Sequence, residues 1–380
     1  MENRGADPMA EPWGRPPWRV DAVPPAMPLP ARCDVAVVGG GFTGLSAAYH
    51  LARRGARVVL LEASTVGAGA SGRTGGIVLE GTAAGPLDRV EHCLDTLAMV
   101  VAEAEIHCDL SLPGCRELVH RVAPGTLHRF WRDGEAWLCV EDTVPGGTVD
   151  PGALVAGLAR AAVLAGATLH EHAAVRAFEP GPPVRLHVGT TSLVADAVFV
   201  ALNAYAATLL ALPVRVTSAL TLAVCTEVLE PAAIAALGLT GGSPFYTLDI
   251  PYLWGRLLRD GRLVLGAGLV TSDAGDVAGL TLDGAEAAAS LGRLEARIPH
   301  FHPALAGVAL RERWGGPIAF TQDRTPVLSR MPGAPSVVVS AGCAGHGIAL
   351  GVRVGQLVAD ALAGGAGLPD WGALPGASPT

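Results

Sequence analysis

The fold is decided by one stretch near the N-terminus, DVAVVGGGFTGLSAAYHLARRGARVVLLE, which spans residues 34–62. The apolar run Cys33–Val38 predicts a buried strand that ends at a glycine. Gly44–Arg54 has the composition of a helix, and Gly55 follows it as a suitable C-terminal residue. A second strand is expected over Arg57–Glu62. This order predicts one βαβ unit of an α/β domain.

The turn inside this unit, Gly39–Gly44, has the spacing G-x-G-x-x-G. Gly39 allows a tight turn, Gly41 lets a pyrophosphate approach the backbone, and Gly44 lets helix and strand pack closely. The phosphates would lie at the helix N-terminus. Glu62 ends the second strand, where its carboxylate can accept hydrogen bonds from both ribose hydroxyls. We therefore predict a dinucleotide site, although the motif does not separate FAD from NAD.

Two further glycine-rich segments add to this site. Gly67–Gly76, with the sequence GAGASGRTGG, directly follows the Glu62 strand. Its amides could crowd a planar ligand or its phosphates, with Ser71 and Arg73 as further donors. Ser340–Ile348 joins a buried strand to a helix, whose N-terminus would suit a flavin edge that becomes anionic on reduction. The alternatives are a flexible surface loop for the first segment, and a phosphate turn or simple packing for the second.

Composition restricts the chemistry and the partners. Half of the 380 residues are hydrophobic, 16% are charged and the net charge is −8. A globular protein with a large core is expected, with no nucleic acid as partner. All 27 basic residues are arginine, which excludes a Schiff-base lysine, a P-loop lysine and a lysine general base. The seven cysteines lack a CxxC spacing, and no signal segment or membrane span is visible. We expect a cytoplasmic protein without a metal site.

The rest of the chain predicts further elements of both kinds. Residues 1–32 are rich in proline and predict a surface arm that Trp13 and Trp18 could pin. Asp150-Pro151 predicts the start of a helix. Strands are expected at about 167–178, 184–188, 193–201, 214–229, 262–270 and 336–341, and helices at about 283–298 and 347–363. Pieces of the nucleotide-binding type lie at both ends and in the middle, so the domains are expected to be interleaved.

These segments together resemble the D-amino-acid-oxidase-like FAD-dependent oxidoreductases, nearest to the branch of sarcosine oxidase and gamma-glutamylputrescine oxidase. The resemblance covers about residues 18–365, and its motifs, which are specific when taken together, include LLEASTVGAGASGRTGG (60–76), RWGGPIAFTQDRTPVL (313–328) and SAGCAGHGIALG (340–351). It implies a fold of the α/β class that is α+β when both domains are taken together. Its FAD-binding domain would be Rossmann-like and interleaved, and its substrate domain would have a mainly antiparallel sheet. The expected bounds are an arm at 1–32, the FAD-binding domain at 33–85, 146–213 and 311–365, the substrate domain at 86–145 and 214–310, and a tail at 366–380.

The resemblance also implies noncovalent FAD and a set of residues that bind it. They are Gly39, Gly41, Phe42, Thr43 and Gly44 at the pyrophosphate, Glu62 and Ala63 at the adenosine, Ser71, Gly72, Arg73, Thr74, Gly75 and Gly76 at the phosphates and flavin, Val175 at the adenine, and Gly345, His346, Gly347 and Ile348 at the pyrimidine edge of the flavin.

The chemistry implied is oxidation of a C–N bond by hydride transfer to flavin N5, which gives an imine. Three positions depart from the relatives. Val264 stands where sarcosine oxidases carry an oxygen-activating lysine. Gly316 and Gly69 stand where covalent relatives carry a tether. Ile318 stands where amino-acid oxidases place an arginine that clamps the substrate carboxylate, so an amine without an adjacent carboxylate is favoured.

Candidate residues for the reaction follow from these departures. His346 and Arg256 are the candidate catalytic residues, since either could replace the missing cation; a structural ion pair is the alternative for Arg256. Tyr246, Tyr252 and Trp254 could form an aromatic cage for a substrate ammonium group, with core packing as the alternative. The expected partners are a small-molecule amine and either oxygen or another electron acceptor.

Two other functions stay open at this point. The same pocket could serve a tailoring enzyme that desaturates or cyclises a specialised metabolite. The chain could also be the flavin-carrying subunit of a dehydrogenase complex, because its low charge permits a buried subunit face. The sequence leaves the oligomeric state open.

Overall fold

The computed structural model describes residues 12–21 and 28–377, which form two eight-stranded sheets, a two-stranded sheet and the helices packed on them. The strands are β1 (Arg32–Val38), β2 (Val58–Leu61), β3 (Ile77–Leu79), β4 (Cys115–Arg121), β5 (His128–Asp133), β6 (Ala136–Val144), β7 (Gly146–Thr148), β8 (Thr168–His170), β9 (Val175–Glu179), β10 (Val184–Val188), β11 (Thr191–Val200), β12 (Thr217–Val228), β13 (Phe245–Thr247), β14 (Trp254–Leu257), β15 (Arg262–Val270), β16 (Leu310–Phe320), β17 (Val327–Met331) and β18 (Ala334–Ala341). The helices are α1 (Phe42–Arg53), α2 (Cys93–Glu103), α3 (Pro151–Leu164), α4 (Ala206–Leu209), α5 (Pro231–Ala236), α6 (Ala285–Phe301) and α7 (Ala349–Ala363).

The first sheet is built around the predicted βαβ unit. Its strands lie in the order β17-β18-β11-β1-β2-β8, with β10 and β9 attached beside β11 by antiparallel pairing. β1 pairs in parallel with both β2 and β11. Val35 and Val37 enter the core formed with α1 and α7, whereas Ala36 and Val38 enter the core on the opposite face. A strand buried on both faces needs the uninterrupted apolar run that the sequence shows.

Helix α1 packs closely against α7, which brings distant parts of the chain together. The hydroxyl of Ser46 donates a hydrogen bond of 2.7 Å to the carbonyl of Val352, 306 positions away. A Cβ at Gly355 would lie 2.6 Å from Ser46 Oγ, so glycine is needed for this approach. The contact confirms the interleaved α/β architecture that the sequence predicts.

The second sheet has the order β16-β12-β15-β14-β13-β4-β6-β5, and all of its neighbours are antiparallel except β13 and β4. This confirms the mainly antiparallel sheet expected from residues 214–270. Helix α6 covers one face with Leu291, Leu294 and Ile298. β16 belongs to this sheet because it pairs along its length with β12, whereas the expected boundary at residue 311 grouped it with the cofactor-binding segments. The division into domains otherwise stays a prediction.

One predicted strand is wrong as a single element. The strand expected over residues 167–178 is two strands, β8 and β9, which pair with β2 and β10 respectively. The chain turns between them at His172, whose φ is +54°. The amides of His172 and Ala173 donate to the carbonyls of Ser64 and Glu62, so the loop after β2 holds this turn.

The described part of the N-terminal arm is pinned by its two tryptophans. The indole N–H of Trp13 donates to the carbonyl of Leu280, and that of Trp18 donates to the carbonyl of Gly72 over 2.8 Å. Both rings are buried, and Trp18 meets Trp314 edge to face at 5.5 Å. Residues 1–11 and 22–27 of the expected arm lie outside the described residues. No helix within the described ranges is long and apolar enough to cross a membrane.

Candidate functional site

A cavity of about 1360 Å³ is lined by residues of both large sheets. It starts at the carboxyl end of β1, follows the loop 67–77, and reaches the second sheet at Tyr246 and Trp254. Small-molecule pockets usually measure about 300–1,000 Å³. The cavity therefore has room for a dinucleotide and a further small molecule beside it.

The first glycine turn and the second glycine loop are joined at one end of this cavity. Gly39 has φ +111°, and a Cβ there would lie 2.7 Å from the carbonyl oxygen of Ala201. The Ser71 hydroxyl accepts a 3.0 Å hydrogen bond from the amide of Phe42, at the start of α1. A Cβ at Gly41 would lie 2.7 Å from that hydroxyl oxygen. Gly39, Gly40 and Gly41 line the cavity beside the N-terminus of α1, a position that favours anions.

Glu62 lies at this same end, as predicted for a ribose-binding carboxylate. Its Oε2 accepts from the amide of Gly40 over 2.7 Å, and its Oε1 accepts from the amide of Ser64 over 2.9 Å. Burial raises the pKa of Glu62, and these amide hydrogen bonds oppose the rise. Each oxygen keeps a further lone pair for a ligand hydroxyl. Ala63 and Val175 line the cavity beside it.

Most of the predicted cofactor-binding residues line the cavity, and three glycines lie behind its wall. The wall includes Gly39, Gly41, Phe42, Thr43, Glu62, Ala63, Ser71, Arg73, Thr74, Gly75, Val175, Gly345, His346, Gly347 and Ile348. Gly44, Gly72 and Gly76 are absent from it. A Cβ at Gly44 would lie 2.0 Å from the carbonyl oxygen of Gly39, and one at Gly72 would lie 2.4 Å from that of Gly67. These glycines permit the backbone shape, and the ligand roles of the whole set stay predictions.

Arg73 holds the site together through its side chain. Its guanidinium donates to the carbonyls of Ala68, Gly14 and Gly315 at 3.3, 3.0 and 3.1 Å. The side chain is 6% exposed and lies over the Trp13 ring. The guanidinium thus joins the arm, the glycine loop and β16, which the sequence did not indicate when it suggested Arg73 as a ligand donor.

The segment before α7, residues 343–348, forms another part of the cavity wall. The side-chain oxygen of Asn203 accepts hydrogen bonds from the amides of Gly342 and Cys343 at 2.9 and 3.2 Å. Ala344 has φ +49°, and His346 follows it at the cavity wall. Burial lowers the pKa of His346. The imidazole is therefore mostly neutral at pH 7, which contradicts the expectation that His346 replaces the missing cation.

A buried hydroxyl tests whether these residues fit FAD. Tyr205 lines the cavity beside Gly69, and its hydroxyl is buried without a hydrogen-bond partner in the described part of the chain. Burial raises the pKa of Tyr205, so it remains a donor. A buried unpaired hydroxyl is unfavourable unless a ligand satisfies it. The polar chain of a dinucleotide would do so, and the residues therefore fit FAD.

Asn203 and Tyr205 were assigned no role from the sequence. Both follow β11 directly, at the carboxyl edge of a parallel sheet where ligands bind. That position was the available signal, in the stretch LNAY.

The second sheet forms the wall at the far end of the cavity. Tyr246 and Trp254 are half-buried there, and Tyr252 is 45% exposed on the loop between β13 and β14. The Tyr246 hydroxyl donates to Oε1 of Glu117, a residue that the sequence analysis missed. The structure thus brings the three predicted aromatic residues together and adds a carboxylate to them. Ile318 also lines the cavity, where its side chain lies next to Gly345 of the segment before α7.

The structure does not bring Arg256 to the cavity. It is 5% exposed and lies over the Trp18 ring at 5.5 Å, against Gly76. Burial lowers the pKa of Arg256 to about 10. Arg256 is therefore not among the residues that line the cavity. β14 turns this side chain toward the buried arm, and the ion pair considered as its alternative is also absent among the described residues.

Comparisons with known proteins agree with this geometry. Residues 34–361 match the family described as "DAO: FAD dependent oxidoreductase". The chain is 29% identical to gamma-glutamylputrescine oxidoreductase of Escherichia coli, over 88% of this chain and 84% of that protein. It is 30% identical to glycine oxidase of Geobacillus kaustophilus, over 87% of this chain and 92% of that protein. The fold is similar to L-proline dehydrogenase from P. horikoshii, with a TM-score of 0.69, 20% identity and coverage of 89% and 95%. The chain therefore belongs to the DAO family of FAD-dependent oxidoreductases.

Proposed function

We propose that this enzyme oxidises the C–N bond of a small amine or amino-acid derivative to an imine. The observation that carries the proposal is the continuity of the cavity, which joins the nucleotide cradle to an aromatic pocket. Bound FAD supplies the hydride acceptor for this oxidation. The names of the relatives, an oxidase of glycine and an oxidoreductase of gamma-glutamylputrescine, support C–N oxidation.

The residues of the chain bind and orient the amine. Tyr246, Tyr252 and Trp254 present ring surfaces that attract an ammonium group and exclude water from it. The neutral imidazole of His346 can take the proton that the substrate ammonium releases, which leaves the free amine that C–N oxidation requires. No base beyond these groups is needed in the proposal.

The residue at the expected clamp position favours amines without an adjacent carboxylate. Ile318 lines the cavity, and the resemblance puts it at the position of an arginine that would hold that carboxylate in two hydrogen bonds. An unpaired carboxylate against this apolar side chain would lose its hydration without compensation. Simple amines are therefore favoured over the matching α-amino acids.

We propose that FAD is held noncovalently. Gly316 and Gly69 line the cavity at the two tether positions and have no side chain to form a bond. Cys343 also lines the cavity, but burial raises the pKa of its thiol to about 11. The thiol therefore stays protonated and unreactive. We also propose that the enzyme is cytoplasmic and that oxygen or another acceptor takes the electrons.

The test is an anaerobic titration of the purified holoenzyme with paired amines and amino acids, such as hexylamine and norleucine. We expect the oxidised flavin absorbance band to bleach with the amine at a lower concentration than with the amino acid. Ile318→Arg should shift this preference toward the amino acid, and Ile318→Met serves as the size-matched control. Admission of air then separates an oxidase from a dehydrogenase.

Three results would contradict the proposal. A yellow protein that no amine bleaches would favour the subunit alternative. Products that retain the nitrogen in a ring or a new double bond would favour the tailoring alternative. A colourless protein that fails to bind added FAD would refute a flavoenzyme altogether.

A further inference from the structure

Glu117 is a carboxylate in the aromatic part of the cavity, and amine oxidation as proposed gives it no role. It is half-buried on β4 and lines the cavity. Within the described residues its side chain accepts a hydrogen bond from the Tyr246 hydroxyl and forms no ion pair. A carboxylate that is partly removed from water and lacks a counterion attracts a cation.

The pairing of the sheet fixes where Glu117 lies. Glu117 pairs with Tyr246, Tyr246 with Trp254, and Trp254 with Gly266, so the four residues form one row across the strands. The Trp254 indole lies over Gly266 and against Gly75, a residue of the cofactor loop. Neighbouring strands are about 4.8 Å apart. Glu117 is therefore about 10 Å from Trp254 along the row, away from the cofactor loop.

Three arginines that line the cavity, Arg293, Arg297 and Arg324, differ from Glu117 in their surroundings. Arg297 is paired with Asp133 at 2.6 Å. Arg293 and Arg324 are exposed to solvent, where water and salt screen their attraction for an anion. Both oxygens of the other carboxylate at this end, Asp249, accept hydrogen bonds from His120. Among the described charged residues at the second-sheet end of the cavity, Glu117 is thus half-buried and without a charged partner.

We propose that Glu117, held by Tyr246, binds a second positive charge on the substrate. The inference rests on the proposed amine oxidation and names its substrate class, a diamine or polyamine. One nitrogen would belong to the C–N bond that is oxidised, and the other would lie about 10 Å away at Glu117. The rings of Tyr246 and Trp254 would contact the methylene chain between the two nitrogens.

The experiment measures anaerobic binding to the holoenzyme by the perturbation of the flavin absorbance, which reports amines whether or not they are oxidised. Hexamethylenediamine is compared with hexylamine, and trimethylenediamine with propylamine. We expect the long diamine to bind at least about tenfold more tightly than its monoamine, as a charge-assisted hydrogen bond provides. The short diamine cannot span the row and should show no such preference. Glu117→Gln keeps an acceptor for Tyr246 and should abolish the preference.

Controls separate this inference from the proposed function. Glu135→Gln removes an exposed carboxylate in the turn between β5 and β6 and should keep the preference. The inference would be overturned if the unaltered protein showed no preference for the long diamine, or if that preference survived Glu117→Gln. The proposed oxidation of monoamines would stand in either case. The inference would also be overturned if aminohexanoate bound more tightly than hexylamine and if Arg324→Gln abolished that difference. Such a result would indicate that the distal group of the substrate is an anion. If amines bind but none reduces the flavin, the proposed function fails and the binding ratios still decide the role of Glu117.

Discussion

Replacing Gly75 by alanine tests how the cofactor loop packs against the second sheet. A Cβ at Gly75 would lie 2.2 and 2.4 Å from two carbons of the Trp254 indole. Carbon atoms in contact are about 3.5–4.0 Å apart, so the loop or the indole must move by more than about 1 Å. The indole also lies against Gly266, where a Cβ would lie 2.0 Å from a ring carbon, so its movement is restricted.

The magnitude follows from this overlap. Overpacking a close contact costs about 1–3 kcal/mol in the free energy of unfolding. If the loop moves instead, FAD affinity falls by about fivefold to a hundredfold, since each 1.4 kcal/mol is about tenfold. Gly69→Ala is the matched control. It lies in the same loop and lines the same cavity, but its Cβ would lie 3.6 Å from Tyr205, an ordinary contact.

Two assays read the pair of variants. Urea unfolding gives the free energy of unfolding of the apoprotein, and quenching of flavin fluorescence gives the dissociation constant of FAD. We expect Gly75→Ala to lower the free energy of unfolding, the affinity for FAD, or both. The free energy of unfolding of Gly69→Ala should stay within about 0.5 kcal/mol of that of the unaltered protein. Equal behaviour of the two variants would refute the packing of Trp254 against the loop.

Three further predictions concern the cofactor site and the core. Glu62→Gln should weaken FAD binding by about tenfold or more in fluorescence titration, because charge-assisted hydrogen bonds to the ribose are lost. Glu171→Gln is the control and should leave FAD binding unchanged, because the Glu171 carboxylate lies outside the cavity wall and accepts a hydrogen bond from the amide of Val66. Tyr205→Phe should weaken FAD binding by about threefold to tenfold yet leave the urea stability of the apoprotein unchanged or higher, since its hydroxyl lacks a protein partner; a loss of apoprotein stability would contradict this. Burial lowers the pKa of His50 to about 4, so stability present above the ordinary pKa of about 6.5 is lost as the pH falls toward 4, by about 2 kcal/mol between pH 7 and pH 5. His50→Leu should remove that loss in urea unfolding at the two pH values, and an unchanged pH dependence would show that another group causes it.

The sequence predicted the local elements of the nucleotide end well, for a physical reason. The strand β1, the helix α1 and the strand β2 follow from an apolar run, a glycine turn and a second apolar run, all within thirty residues. Asp150 accepts a hydrogen bond from the amide of Ala153 and caps α3 as the Asp-Pro pair predicts. Such signals are local, because neighbouring residues decide turn and cap conformations.

The roles of the arginines could not be predicted in this way. Arg73 lies in a glycine motif that indicates ligand binding, yet its guanidinium donates to carbonyls of its own loop, of the N-terminal arm and of β16. Arg256 lies two residues after a cavity residue, yet it points to the buried arm. A long side chain can reach groups whose position depends on the whole fold, and its sequence position does not reveal them.

The sequence by itself determined the family and the dinucleotide cradle, because the spacing of glycines acts through local backbone geometry. It also excluded lysine chemistry, because composition states which chemical groups the chain contains. Only the tertiary structure decided which residues meet at the substrate end. Glu117 on β4 precedes Tyr246 on β13 and Trp254 on β14 by more than a hundred residues, and their row exists because β13 pairs in parallel with β4. Pairing between such distant strands depends on the burial of whole sheet faces, which no local pattern specifies.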